Sequence, residues 1–230
     1  MLEPLFKPSS VAVIGASRKV GKVGHDVLKN ILNSGYKGEV YPINPKAQEV
    51  LGLKCYPSLL DVPENVDMGV IAVPASIVPK IAEEAGRKRV KVLVVISAGF
   101  KESGIEGARL ESRLVSICKK YGIRILGPNC LGVIDTSTPI NASFASTMPI
   151  EGNIAFASQS GALCTAVLDW SLKEGVGFSK FLSLGNKADL NENDVMLELA
   201  EDDNTKVILV YLEGVEDGRR FLKVAREVTR

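Results

Sequence analysis

The sequence is poor in aromatic residues, histidine and cysteine, and it has almost no excess of charge. Aromatic side chains make up only 6% of the 230 residues, so the core must come mainly from valine, isoleucine, leucine and alanine. One histidine and four scattered cysteines, with no C-x-x-C pair, argue against a zinc site or a disulfide framework and favour a reducing cytoplasm. A formal net charge of +1 excludes the broad basic surface of a nucleic-acid-binding domain and also a charged disordered tail.

Long apolar runs are missing as well. No run approaches the ~20 residues of a membrane helix, and the first residues lack the basic and apolar regions of a signal peptide. We therefore expect neither a membrane nor a nucleic-acid partner. Hydrophobic residues nevertheless make up 46% of the chain. At ~150 residues per domain, the length suits one large domain or two small ones.

Short apolar runs alternate with amphipathic segments over the first half of the chain. The pattern predicts strands at residues 10–15, 39–43, 66–73, 90–97 and 124–126, with helices at 24–34, 77–89 and 104–121. This alternation is typical of an α/β fold with an open parallel sheet and helices on both faces.

Residues 127–152 interrupt the pattern with proline, asparagine, serine and threonine. We predict an irregular connector there, with a domain boundary near Met148. The alternation then resumes with strands at 153–157, 178–184 and 207–212. Three strands make a marginal sheet, so we expect the chain to be a fragment of a longer one or to be completed by another subunit.

A glycine-rich turn follows the first strand and opens a helix. The turn, from Gly15 to Gly21, lies where backbone N–H groups can bind a phosphate. It is not a Walker A loop. Lys46 follows the second strand, where an NAD site would have an acidic residue. This lysine suits an extra ribose phosphate, as in CoA or NADP, but a solvated surface lysine fits equally well. Arg18 and Lys19 beside the turn favour a polyphosphate ligand.

Three later positions could carry chemistry. Cys130 follows the fifth strand and is either a reactive thiol or, more commonly, a small buried residue. Ser160 and Gly161 open a helix and suit a second anion rather than a hydrolase nucleophile, because no histidine accompanies them. Glu213 ends a strand and is either a functional carboxylate or a surface residue. We assign no catalysis to His25.

Taken together, the motifs resemble those of one family. Their order along the chain is Gly-Ala-Ser at 15–17, Asn-Pro-Lys at 44–46, Val-Pro-Ala at 73–75, Ile-Ser-Ala-Gly-Phe at 96–100, Gly-Pro-Asn-Cys-Leu-Gly at 127–132, Ser-Gln-Ser-Gly at 158–161 and Leu-Glu-Gly at 212–214. This order resembles the NDP-forming acyl-CoA synthetases, in particular the α subunits of ADP-forming acetyl-CoA synthetases and their succinyl-CoA synthetase relatives.

The resemblance implies a fold and a reaction. The fold would be a Rossmann-like CoA-binding domain over residues 1–148, followed by a truncated flavodoxin-like ligase domain over 149–230. The reaction interconverts acyl-CoA, ADP and phosphate with acid, CoA and ATP through an acyl phosphate and a phosphohistidine. Mg²⁺ and ADP or ATP would lie on a partner, an ATP-grasp β subunit or domain.

The resemblance also implies site residues. The CoA phosphates would lie on the first turn, with the 3′-phosphate near Lys46. The pantetheine arm would run along the 96–97 and 129–130 segments. A phosphate would lie at the start of the helix that begins at residues 160–161, and Glu213 would orient the phosphohistidine of the family. The implied residues are Gly15, Ser17, Arg18, Lys19, Gly21, Lys46, Ile96, Ser97, Asn129 and Cys130 for CoA, Ser160 and Gly161 for phosphate, and Glu213 for catalysis.

Two departures from the family limit this interpretation. Thr165 stands where the succinyl relatives have a tyrosine, so succinate specificity does not carry over. The phosphorylated histidine of the family lies downstream of Glu213, outside this sequence. We therefore predict a chain that binds CoA without completing a ligase turnover. A non-catalytic sensor of CoA or NAD(P) is the alternative. An NADP-dependent oxidoreductase is weaker, because no Tyr-x-x-x-Lys pair is evident.

Overall fold

Five parallel strands and their connecting helices form the first unit, as the sequence pattern predicts. The computed structural model describes residues 2–229. The strands of this sheet are β1 (Ser10–Ile14), β2 (Glu39–Ile43), β5 (Met68–Ile71), β6 (Val92–Val95) and β7 (Arg124–Leu126). The helices are α1 (Glu3–Phe6), α2 (Val23–Asn33), α3 (Val78–Lys88) and α4 (Ile105–Tyr121).

The strand order β2-β1-β5-β6-β7 places a crevice beside β1. The chain runs from β1 to β2 on one side of β1 and then returns to β5 on its other side. Ligands of open α/β sheets bind in such a crevice, at the carboxyl ends of the strands. Within the first unit, the pattern did not predict the short α1 or a hairpin of two-residue strands, β3 (Glu49–Val50) and β4 (Leu53–Lys54), because both are too short to show a period.

A second sheet of five strands follows, in the order β12-β10-β11-β8-β9. Its parallel part consists of β10 (Glu151–Ser158), β11 (Phe178–Ser183) and β12 (Val207–Tyr211). The antiparallel part consists of β8 (Gly132–Asp135) and β9 (Ile140–Ser143). The helices are α5 (Gly161–Glu174), α6 (Glu192–Ala200) and α7 (Gly218–Val228). Among the helices of residues 2–229, none has the length and apolar character to cross a membrane.

The prediction of an irregular connector at residues 127–152 is wrong, because β8 and β9 lie within it and extend the second sheet from three strands to five. The alternation of apolar and polar residues that is typical of a strand is hidden in β8 and β9, because some of their buried side chains are polar. Asp135 is fully buried, accepts hydrogen bonds from the N–H groups of Ser137 and Thr138, and lies 3.2 Å from the amino group of buried Lys180. The domain boundary near residue 148 stays a prediction.

The two sheets share one hydrophobic core. The buried residues Val27, Leu28 and Ile31 of α2 belong to the same apolar cluster as Ile140 and Ala142 of β9. The side-chain amide of Asn30, also on α2, donates hydrogen bonds to the carbonyl oxygens of Ser143 (2.9 Å) and Ala145 (2.7 Å). A helix of the first unit therefore packs directly on the edge of the second sheet.

Candidate functional site

The turn after β1 has little room for side chains. Gly15 has a φ of 93°, and a Cβ atom there would overlap the carbonyl oxygen of Ala72 at the end of β5. A Cβ atom at Gly24 would overlap the carbonyl oxygen of Gly15. No side chain of residues 2–229 caps the N-terminus of α2, and within the same range the N–H groups of Val23 and Gly24 have no hydrogen-bond acceptor. These two N–H groups lie at the crevice, where the helix dipole favours an anion.

A cleft of about 890 Å³ lies at this crevice, and it is lined by four lysines. Of the predicted residues, Gly15, Ser17, Lys19 and Lys46 line it, together with Lys22. Arg18 and Gly21 do not line it, because they lie on the exposed outer part of the turn. The sequence analysis missed Lys80, which α3 brings to the same cleft. A possible signal was its place in the first turn of the helix that follows β5.

Two polar side chains fix the shape of the loops around this cleft. The amide nitrogen of Asn44 donates to the carbonyl oxygen of Ala16 (2.7 Å), and its amide oxygen accepts from the N–H of Lys46 (2.8 Å). The His25 ring is buried, with Nδ1 2.9 Å from the carbonyl oxygen of Ser17. Both residues hold the loops that carry the lysines, which agrees with assigning no catalysis to His25.

A second cavity, of about 650 Å³, lies where the two sheets meet. It brings together the other predicted residues, which come from four separate segments of the chain. They are Ile96, Ser97, Asn129, Cys130, Ser160, Gly161 and Glu213. Apart from Glu213, no charged side chain of residues 2–229 lines this cavity.

The Asn129 loop is held by the segment 185–190, which runs alongside it. The N–H groups of Asn186 and Ala188 donate to the carbonyl oxygens of Pro128 (2.9 Å) and Gly127 (3.0 Å). The Asn186 side chain accepts a long hydrogen bond from Asn129 (3.4 Å) and donates to Glu111 (2.8 Å). The loop is thereby tied to both units.

Cys130 contributes to the wall of this cavity but not a nucleophile. Its Sγ lies 3.4 Å from the carbonyl oxygen of Val95, and the residue is buried. Burial raises the pKa of the Cys130 thiol to about 12, so the thiol is protonated at neutral pH. The structure supports the buried residue over the reactive thiol.

The start of α5 presents free N–H groups to the cavity. The Ser160 hydroxyl caps the helix by accepting from the N–H of Leu163 (3.2 Å), while Ser160 N–H donates to the Ser158 hydroxyl (3.0 Å). A Cβ atom at Gly161 would meet no other atom within 4 Å, so the entrance to this helix is open. The arrangement can bind a phosphate-sized anion.

Glu213 is exposed, but its backbone is held on both sides. The side-chain oxygen of Gln159 accepts from the N–H groups of Glu213 (2.8 Å) and Gly214 (3.2 Å). The buried amino group of Lys187 donates to the carbonyl oxygen of Gly214 (2.7 Å) and pairs with Glu192 (2.8 Å). Sequence reasoning missed Gln159 and Lys187 as supports of Glu213, because their contacts join segments far apart in the chain.

The two cavities are parts of one groove. Val23, Ala72 and Val73 line both of them. The groove thus runs from the lysines around the first turn, past the carboxyl ends of β5 and β6, to the start of α5. One end suits a polyphosphate, the middle suits an uncharged chain, and the other end suits a single phosphate.

Two family models match the chain. The CoA binding domain matches residues 9–136, and the succinyl-CoA ligase like flavodoxin domain matches residues 151–230. Acetate–CoA ligase [ADP-forming] I of Archaeoglobus fulgidus is 58% identical over 229 residues, which are 100% of this chain and 33% of that protein. Acetate–CoA ligase [ADP-forming] I subunit alpha of Pyrococcus furiosus is 49% identical over 233 residues, which are 100% of this chain and 50% of that protein.

A solved structure agrees with these relatives. The dinucleotide forming acetyl-coenzyme A synthetase 1 of Ca. Korarchaeum cryptofilum, in complex with phosphate and ADP, has a TM-score of 0.96 and 46% identity, covering 100% of this chain and 49% of that one. The chain thus spans between a third and a half of the length of these relatives. The resemblance to the NDP-forming acyl-CoA synthetases is confirmed over the whole chain, which belongs to the CoA binding domain family.

Proposed function

We propose that the chain binds CoA along the groove and serves as the acyl-transfer part of an ADP-forming acid–CoA ligase. The observation that carries this proposal is the continuity of the groove between a lysine-lined end and the open start of α5. CoA has three phosphates at one end and a thiol at the end of a long uncharged arm. Its shape and charge match a groove that is basic at one end and nearly free of charge beyond it.

In this arrangement the diphosphate of CoA lies on the turn from Gly15 to Gly21, at the N-terminus of α2. Ser17 and Lys19, which line the cleft, are its neighbours, whereas Arg18 lies on the outer part of the turn. Lys46 takes the 3′-phosphate. The pantetheine arm passes Ile96 and Ser97, and the thiol reaches Asn129 and Cys130, on the loop held by the segment 185–190.

The thiol then lies near the site proposed for phosphate. An acyl phosphate there reacts with the CoA thiol: the carbon–sulfur bond forms, the carbon–oxygen bond to phosphate breaks, and the thiol proton leaves with the phosphate. Ser160 and Gly161 hold that phosphate, and α5 stabilises its charge through its dipole. Glu213 orients the histidine that exchanges the phosphoryl group. That histidine is not among the residues of this sequence.

The phosphoryl group must come from a nucleotide bound elsewhere. We propose that an ATP-grasp β subunit or domain holds ADP or ATP with Mg²⁺. The division of the chain near residue 148 and its cytoplasmic location stay predictions.

Isothermal titration of the purified chain with CoA, dephospho-CoA, NADH and NADPH tests the proposal. CoA should bind most tightly. Replacing Lys46 by alanine should weaken CoA binding by roughly 10-fold or more, as expected for one charge-assisted hydrogen bond, and leave dephospho-CoA binding almost unchanged.

Lys37→Ala is the matched control, because Lys37 is an exposed lysine just before β2 whereas Lys46 lies just beyond its other end. This control should bind CoA as the unaltered chain does. Preferential binding of NADPH would favour the sensor or oxidoreductase alternatives and overturn the proposal. Equal losses for CoA and dephospho-CoA would show that Lys46 does not hold the 3′-phosphate.

A further inference from the structure

The acyl group has a restricted place in the groove. This step rests on the proposed function, in which one acyl carbon is bonded first to a phosphate oxygen and then to the CoA sulfur. That carbon must therefore lie between the Asn129–Cys130 loop and the start of α5. The rest of the acyl group extends from there against whichever side chains form the nearby wall.

Part of the wall at this place is apolar, beside the polar side chains of Asn129, Gln159 and Ser160. Leu131 directly follows the loop, Ala162 lies in the first turn of α5, and Phe144 directly follows β9; all three line the cavity. No lysine, arginine or histidine of residues 2–229 lines it. An acyl group here would meet hydrocarbon rather than a cation.

Phe144 is a large apolar residue that is 39% exposed although its backbone is fixed. Asn30 of α2 donates to the carbonyl oxygens of both neighbours of Phe144, and the Ser143 hydroxyl accepts from the N–H of Ala145 (3.1 Å). The N–H of Phe144 itself donates to the carbonyl oxygen of Leu131 (3.3 Å). A large apolar side chain that stays partly exposed, on a backbone held from three directions, is suited to contact a ligand rather than to fill the core.

We propose that Phe144 determines specificity by limiting the size of the acyl group. Its ring, with Leu131 and Ala162, closes the apolar end of the cavity, so short uncharged acyl groups fit and bulky ones collide with the ring. Removing the ring opens the cavity towards solvent. Enlarging Ala162 narrows it from the opposite side.

The test measures the affinities of CoA, acetyl-CoA, butyryl-CoA and benzoyl-CoA for the purified chain by isothermal titration. The unaltered chain should bind acetyl-CoA about as tightly as CoA, and benzoyl-CoA roughly 10-fold or more weakly. Phe144→Ala should bring benzoyl-CoA to within about 3-fold of CoA. Ala162→Leu should have the opposite effect, weakening butyryl-CoA relative to CoA.

Trp170→Ala is the matched control. Trp170 is an exposed aromatic residue on α5 that does not line the groove, and its removal should leave the order of the four ligands unchanged. Affinity for CoA itself reports whether each variant is folded. Equal affinities of the unaltered chain for all four ligands, or an unchanged benzoyl-CoA to CoA ratio in Phe144→Ala, would overturn the inference while CoA binding stands. Loss of CoA binding by the unaltered chain would instead overturn the proposed function, and the inference with it.

Discussion

The two ends of the groove use different means to favour anions. At the first end the positive charge comes from side chains: Lys19, Lys22, Lys46 and Lys80 line the cleft. At the second end it comes from the backbone, since the start of α5 offers N–H groups and, within residues 2–229, Glu213 is the only charged residue in the lining. Flexible lysine side chains suit a ligand that carries several charges and must dissociate intact. A fixed dipole suits a single phosphate whose bonds change, because it stabilises charge without adding a proton donor.

Lysine also has a different role at each end. Lys46 is exposed and has no acidic partner within salt-bridge distance among the described residues. Lys187 is buried, pairs with buried Glu192, and holds the carbonyl oxygen of Gly214. The same side chain is therefore proposed to bind ligand at one end and gives structural support at the other.

The largest effect that tests this contrast should come from Lys187→Met. Removing the amino group leaves the Glu192 carboxylate buried without its partner, which typically costs about 3–5 kcal/mol of unfolding free energy. Urea denaturation followed by circular dichroism measures the loss. Lys46→Met, the same substitution at the exposed end, should change the free energy of unfolding by less than about 0.5 kcal/mol. Similar losses for the two variants would contradict the division of roles.

A smaller effect should follow Ser160→Ala. Loss of the hydroxyl that caps α5 should lower the free energy of unfolding by about 1 kcal/mol. It should also weaken the binding of inorganic phosphate, which ³¹P NMR titration can measure. Asn191→Ala is the matched control, because Asn191 caps α6 in the same way but does not line the groove. If both variants lose stability equally and neither changes phosphate binding, α5 does not form the phosphate site.

The smallest effect concerns Cys130. Because burial raises the pKa of the Cys130 thiol to about 12, the thiol stays neutral between pH 7 and 9. It therefore adds no negative charge to the second cavity over this range. The affinity for S-methyl-CoA, which has no thiol of its own, should therefore change less than about 2-fold over this range. A steep fall with rising pH, absent from Cys130→Ala, would show that the thiolate forms within the groove.

The sequence predicted the framework of the groove because of where its residues lie along the chain. Gly15 and Ile96 directly follow parallel strands and Lys46 lies three residues beyond another, and such positions meet at one edge of a sheet. Strands buried on both faces also read as continuous apolar runs, which made them easy to locate. Position relative to a strand was therefore sufficient information for these residues.

The parts of the fold and of the groove that the sequence did not predict depend on contacts between segments far apart in the sequence. β8 and β9 were missed because Asp135, Asn141 and Ser143 are polar but buried, which hides the alternation of a strand. Lys80 and Phe144 were missed because only the packing of α3 and β9 brings them to the groove. No local pattern encodes a contact of this kind.

The packing of α2 on β9 fixes the distance between the two ends of the groove. The first turn of α2 lies at the cationic end, and Asn30 on the same helix fixes the backbone around Phe144 near the other end. One helix thus sets the spacing between the places proposed for the first phosphates and for the acyl group. A ligand whose arm has the matching length gains both sets of contacts without any cost for closing the groove. Selection by arm length therefore follows from the fold itself, before any single side chain distinguishes one ligand from another.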